Sequence, residues 1–259
     1  MKQWFYRFFI ELTNHRLSSF LLRRFSQSKL SKRLIPAYLK VYNIQLADVK
    51  EDVEHFQSLH ELFIRELKPE ARAIDSKEKS IVSPVDAVIE EVGTILPSKE
   101  IVVKGKTYSI AEMLGSNELL EKYVHGTFMV MYLSPSHYHR IHSPITGTIR
   151  KQWTLGSKSY PVNQLGLKYG KDTLAKNYRK ITEIESSGKH IAMVKVGAMF
   201  VNSIEITHKG DRVEKGKEIA YFTFGSTVIL LFENETFEVN KEIQTPCDIQ
   251  VGQAIGHFR

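Results

Sequence analysis

The chain has 259 residues, 42% of them hydrophobic and 25% charged, which suits a folded protein with a sizeable core and excludes a disordered or fibrous one. Its single cysteine, Cys247, excludes an internal disulfide framework and reads as structural or incidental. The net charge of +7 is unevenly placed: residues 1–50 hold ten Lys/Arg against two Asp/Glu, while residues 51–259 hold 26 against 27, so no nucleic-acid-binding body is expected.

Residues 1–50 read as a basic amphipathic helical segment. Trp4, Phe5, Phe8, Phe9 and Leu12 recur at helical spacing, and so do Leu17, Phe20, Leu21 and Phe25. A second basic stretch, SKLSKRLIPAYLKVY, is broken or kinked at Pro36. An aromatic, apolar face beside a Lys/Arg-rich one suits helices lying in a membrane interface. The blander alternative is a helical pair packed on the body, and both can hold at once. No uncharged apolar run approaches the ~18 residues that a span needs. Arg7, Glu11 and Arg16 interrupt the place where a signal peptide would be uncharged.

Residues 48–67 are predicted as one helix, with Val53, Phe56, Leu59, Leu62 and Phe63 on a core-facing stripe. From about residue 80 the pattern changes to short alternating β segments. These are SIVSPVDAVIEEVGTI, EIVVKGKTY, TFMVMYL, SPITGTIRKQW, HIAMVKVGAMFVNSIEIT and EIAYFTFGSTVILLF. Two short helices intervene: SIAEMLG, opened by a Ser109–Glu112 capping box, and NELLEKYV, with Asn117 as its N-cap. The fold class is therefore α+β, a mostly antiparallel β body with short helices and an N-terminal helical membrane-surface segment. Residues 210–222, GDRVEKGKEIAYF, resemble the turn-and-strand phrase of lipoyl and biotinyl carrier domains.

Three places combine reactive side chains with turn residues: Asp86 in SPVD, the histidines His137, His139 and His142 in SPSHYHRIHSP, and Gly225-Ser226-Thr227. Asp, His and Ser together suggest nucleophilic activation, because a hydroxyl needs a base and the base needs an orienting carboxylate. Ser226 lacks the G-x-S-x-G context of an ordinary serine hydrolase. It lies within the strand-like run FTFGSTVILLF, and the nearest carbonyl to its Oγ is that of Gly225. That arrangement suits an intramolecular target. Attack by Ser226 on the Gly225 carbonyl turns the amide into an ester. β-Elimination then cuts the chain and leaves dehydroalanine, which becomes an imine and hydrolyses to a pyruvoyl group. The bland alternative is a Gly-Ser bulge in an edge strand. The histidines could also form a metal cluster, with His137 and His139 on one side of a strand, but no cysteine joins them, and no metal is expected.

Several ordered phrases, from about residue 60 to the end, resemble the phosphatidylserine decarboxylase proenzymes of prokaryotic type. They are FIRELKPEAR with Arg65 and Arg72, SPVDAVIE with Asp86, KGKTYSIAEMLG, LSPSHYHRIHSPITG, VGAMFVNSIEI and GDRVEKGKEIAYFTFGSTVILLFE. The resemblance implies that Asp86, His142 and Ser226 form a triad for self-cleavage between Gly225 and Ser226. It implies a catalytic domain over 51–259, giving a β subunit of 1–225 and an α subunit of 226–259 that begins with the pyruvoyl made from Ser226. That group would form a Schiff base with the amine of phosphatidylserine and take up the electrons left by departing carbon dioxide. His139, with His142 beside it, would protonate the product carbon to give phosphatidylethanolamine. The expected location is peripheral, on the cytoplasmic face of the cell membrane, where an anionic surface attracts residues 1–50. A homo-oligomer is left open.

Three departures from the family pattern stand out. Ala87 follows the aspartate where glycine is usual, Phe224 replaces leucine, and Asn177-Tyr178-Arg179 has tyrosine for glutamate. The alternatives are a Ser-His-Asp hydrolase, a carrier-like module with a modifiable lysine, and a pyruvoyl decarboxylase of a soluble amino acid.

Overall fold

The computed structural model describes residues 16–115, 120–162, 172–198, 204–223 and 226–259. The β pattern beyond residue 80 builds one eight-stranded sheet. Its order is Arg212–Val213, Gly147–Leu155, Arg179–Ser186, Lys189–Gly197, Ser226–Phe232, Thr127–Leu133, Ala87–Thr94 and Cys247–Ile249. Every neighbouring pair in it is antiparallel. Successive side chains of a strand point to opposite faces, so the sheet buries two cores. Val228, Leu230 and Phe232 join Met131, Met193 and Ile89 on one face. Ile229 and Leu231 join Val130, Val194 and Ile181 on the other.

Smaller sheets pack around this one. Ser80–Val82, Ala254–Phe258 and Phe237–Val239 form one, and Ile204–Ile206, Glu218–Phe222 and Arg140–His142 form another. The hairpin Glu100–Val103 and Lys106–Ser109 turns at Lys104 and Gly105, both with positive φ. Ser109 Oγ then accepts from Glu112 N, starting the helix Ile110–Leu114, and Gly115 at φ 67° ends it.

Two expectations about local structure are corrected, and a third falls partly outside the described residues. First, EIAYFTFGSTVILLF is two strands in two different sheets. Glu218–Phe222 pairs with Arg140–His142, whereas Ser226–Phe232 lies at the centre of the large sheet. Pairing runs unbroken from Ser226 on both sides, opposite Leu133 and Gly197, so Ser226 is in neither an edge strand nor a bulge. Phe224 and Gly225 lie outside the described residues.

Second, residues 48–67 are not one helix. They form a 3-10 turn at Val53–His55 and a short helix at Leu59–Phe63, with Ser58 Oγ capping Glu61 N. A helix of 20 residues holds its ends about 30 Å apart. Here Lys50 N donates to Glu66 O and Lys68 N to Asp48 O, closing the segment into a loop. Its apolar stripe still finds a core, where Phe56 and Leu62 pack with Ile35 and Val49.

Third, the described part of NELLEKYV is a single 3-10 turn, Glu121–Tyr123. Its Asn117 cap lies outside the described residues. Beyond it, His125 has φ 64°, and a Cβ on Gly126 would lie 1.9 Å from Phe232 O. The chain must turn against the central strand there and cannot continue as a helix.

The N-terminal segment is helical where described, with an α-helix at Arg16–Ser26, a 3-10 helix at Lys29–Leu34 and an α-helix at Ile35–Tyr42. Residues 1–15, including Trp4 to Leu12, lie outside the described residues. Pro36 starts the last helix rather than breaking one, since the first turn needs no N–H from it. Ile35 packs into the small core, but Phe20, Leu21, Leu30 and Val41 are 55%, 58%, 64% and 74% exposed. Among the described residues no helix is long and apolar enough to cross a membrane.

Candidate active site

The strand ends where Ser226 pairs with Leu133 and Gly197 carry the candidate chemistry. Ser226 is fully buried as the first residue of the central strand, and its Oγ has no hydrogen-bond partner. Thr227 Oγ1, on the opposite face, is also buried without a partner. Native proteins rarely leave buried hydroxyls unmatched, because each forgoes about 1–3 kcal/mol of hydrogen bonding. A hydrolase nucleophile must meet an external substrate, whereas Ser226 is enclosed by its own chain.

The histidine loop starts at the same strand ends. Residues 134–139 leave the strand end at Leu133, opposite Ser226, and Phe222 N donates to His139 O at 3.0 Å. His137 and His139 therefore lie in a turn rather than on a strand, and only Arg140–His142 is extended. His137 Nδ1 accepts from Ser134 N at 3.0 Å and closes the turn. His139 is fully buried, with Nδ1 2.9 Å from His137 O and Nε2 without a partner. Burial holds its pKa well below the ordinary value, and the neighbouring Arg65 charge adds to this, so the ring is neutral.

His142 Nδ1 lies 2.8 Å from Gly216 O, and a carbonyl only accepts. That nitrogen therefore carries the hydrogen, and Nε2 accepts from the Tyr138 hydroxyl at 3.2 Å. Burial lowers the pKa of His142 as well. Asp86 is buried among other partners. Arg72 Nε donates to both of its carboxylate oxygens, at 3.0 and 3.1 Å, and Arg72 Nη2 donates to Oδ2 at 2.6 Å. Val251 N donates to Oδ1 at 2.8 Å. Burial opposes the charge on Arg72, but Asp86 and Asp48 hold its pKa above the ordinary value.

The backbone brings Asp86 and His142 near each other, since His142 N donates to Pro84 O at 2.8 Å. Among the described residues no hydrogen bond joins the side chains of Asp86, His142 and Ser226 to one another. Sequence reasoning quoted Arg72 without a role and missed Tyr138 and Val251. The alternation of charge in FIRELKPEAR was the one available signal for an arginine near the site. A cavity of about 340 Å³ lies beside this cluster, lined by Arg65, Arg72, Asp86, His137 and Tyr138. Two larger cavities of about 610 Å³ lie elsewhere, one of them against Ser186 and Lys189 at the far end of the strands from Ser226.

Asn177 and Arg179 are structural. Asn177 Nδ2 donates to Tyr160 O and Gly197 O. Arg179 donates to the carbonyls of Met113, Glu112 and Asn177, and burial pushes its pKa down to about 10. Lys215, in the carrier-like phrase, has its amine tied to Lys77 O and to the Ser80 backbone and hydroxyl. Cys247 is half-buried in a short edge strand.

Comparison with known proteins shows the family. The model of the family described as phosphatidylserine decarboxylase matches residues 59–257. A protein from Geobacillus sp. (strain WCH70), named phosphatidylserine decarboxylase proenzyme, is 57% identical over 259 residues, all of both chains. Proteins of the same name from Anoxybacillus flavithermus (strain DSM 21510 / WK1) and Bacillus thuringiensis (strain Al Hakam) are 57% and 52% identical, covering 99% and 98% of this chain and 97% of their own lengths. The chain thus belongs to the phosphatidylserine decarboxylase family.

Proposed function

We propose that this chain is a self-processing enzyme that decarboxylates phosphatidylserine to phosphatidylethanolamine, using a pyruvoyl group made from its own Ser226. The observation that carries this reading is the Ser226 hydroxyl, fully buried and unpartnered directly after Gly225. Its attack on the Gly225 carbonyl forms an ester as the amide nitrogen is released. Loss of the Cα proton expels the Gly225 carboxylate and leaves dehydroalanine, which tautomerises. Water then removes ammonia. The products are residues 1–225 and residues 226–259.

His142, its pKa lowered by burial, serves as base for the Ser226 hydroxyl, and the nearby Asp86 charge favours the imidazolium that forms. The Tyr138 hydroxyl occupies His142 Nε2, so that contact breaks when the base acts. Residue 226 would hold the pyruvoyl group. The unmatched Ser226 Oγ and His139 Nε2, both buried, fit a polar group made from residue 226. When present, the group supplies a carbonyl that condenses with the substrate amine and accepts the electrons released with carbon dioxide. His139 Nε2 takes up a proton on its lone pair and passes it to the product carbon, and its buried setting keeps competing water away.

Residues 1–50 form the membrane-association segment, and residues 51–259 the catalytic domain. Exposed Phe20, Leu21, Leu22 and Phe25 lie on the same helix as Arg23 and Arg24, which supports peripheral binding to an anionic surface on the cytoplasmic face of the cell membrane.

Denatured intact mass tests the processing. The expected result is two fragments broken between Gly225 and Ser226, the small one lighter by one ammonia than a Ser-initiated peptide. A single full-length mass that persists with lipid overturns the reading.

A further inference from the structure

We propose that Arg65 is a positioning residue, fixing the tautomer and orientation of His139. This rests on the role given to His139 above. His137 O can only accept, and it takes two donors: Arg65 Nη2 at 2.9 Å and His139 Nδ1 at 2.9 Å. His139 Nδ1 therefore carries the hydrogen, and the lone pair sits on Nε2, the atom left without a partner. A lone pair at a defined place is what a proton carrier needs.

Arg65 is built for this contact. It is 4% exposed and makes no ion pair with a carboxylate among the described residues. A buried guanidinium without a counter-charge is costly, so the hydrogen bonds that it makes matter. It donates to the carbonyls of Leu62, Ser136 and His137 at 3.3, 2.8 and 2.9 Å, while its buried Nε has no partner. Two of those carbonyls are consecutive residues of the histidine loop. Two residues earlier, Phe63 lays its ring on His139, with centroids 3.9 Å apart and planes at 34°. The segment from Leu59 to Arg65 thus covers one face of the imidazole and anchors the carbonyl that orients its edge. Leu59 N in turn donates to Ser31 Oγ at 3.0 Å, joining this clamp to the basic N-terminal segment.

The test uses the full chain with Arg65→Met and Arg65→Lys. Lysine keeps the charge and one donor, and is read alone if the methionine variant does not fold. Three quantities are measured: fragment masses, kcat and KM on phosphatidylserine micelles, and histidine 15N shifts, with His139→Gln assigning the resonance. Both variants are expected to cleave at Gly225-Ser226, because Arg65 hydrogen-bonds none of Asp86, His142 or Ser226. We expect kcat to fall about 100-fold in Arg65→Met and about tenfold in Arg65→Lys, with KM within about twofold. The His139 signals should change from the single Nδ1–H tautomer to a mixture. Unchanged kcat in a folded variant, or lost kcat with an unchanged tautomer, overturns the proposal. If the wild type makes no phosphatidylethanolamine, the decarboxylase reading fails instead, and the 15N shifts still decide whether Arg65 sets His139.

Discussion

Replacing Lys195 by methionine should stabilise the protein and flatten its stability against pH. Lys195 is fully buried, opposite Val228 of the central strand, and its amine donates to one atom, Thr182 Oγ1, at 2.6 Å. Burial, with a smaller push from Lys180, lowers its pKa to about 7 from 10.5. Between these values the unfolded chain holds a proton that the folded chain lacks, so stability rises with pH across the window and is lost as pH falls toward 7. At 1.36 kcal/mol per unit, the deficit at about pH 7.5 relative to the alkaline limit is about 4 kcal/mol. Methionine removes that deficit and gives up a hydrogen bond worth about 1 kcal/mol, a net gain of about 3 kcal/mol. Gln152 still donates to Thr182 Oγ1, so the hydroxyl keeps a partner. The assay is urea unfolding from about pH 7 to 10, with Ser226→Ala in both chains so that each remains intact. The stability difference between the two chains cancels the other titrating groups and should shrink as pH rises. A difference independent of pH, or a methionine variant that is the less stable at about pH 7.5, refutes the reasoning.

Asp86→Asn should slow chain cleavage and cost about 2–3 kcal/mol of stability, because Arg72 keeps only Asp48 as a charged partner; fragment mass against time and urea unfolding read the two effects. Gly126→Ala should destabilise by more than about 3 kcal/mol, since its Cβ would meet the carbonyl of Phe232 at 1.9 Å, and a lowered denaturation midpoint checks it. Replacing Phe20, Leu21 and Phe25 by serine should weaken sedimentation with anionic vesicles by at least tenfold while leaving chain cleavage intact. Unchanged sedimentation would place the lipid contact elsewhere.

Local chemistry was legible in the sequence wherever neighbours in the chain decide the outcome. The Ser109–Glu112 cap formed as its residues require, and the alternating segments gave strands, although EIVVKGKTY folds back on itself at Lys104 and Gly105. Features set by distant partners were not legible. The stripe from Val53 to Phe63 has helical spacing, but backbone pairing of residues 48–50 with 66–68 bends it into a loop. The run through FTFGSTVILLF has one β character, yet its halves serve different sheets. Asp86 looked like the partner of a histidine, and its carboxylate instead faces Arg72, 14 residues earlier. Lys195 was hidden in HIAMVKVGAMF, because a lysine in a strand reads as solvent-facing until the sheets that cover both faces are known.

Ser226 opens a strand hydrogen-bonded on both sides, and the residues after it are stitched into the rest of the molecule. Phe237–Val239 and Ala254–Phe258 share a sheet with Ser80–Val82, and Cys247–Ile249 lies against Ala87–Ile89. Residues 226–259 therefore hold their place without a covalent link to what precedes them. The same weave sets an order of events. The serine reaches its buried position only once Thr127–Leu133 and Lys189–Gly197 have paired with its strand on either side. Under the proposed mechanism, cutting would act as a certificate of correct assembly, and a chain that misfolds would stay whole and inert.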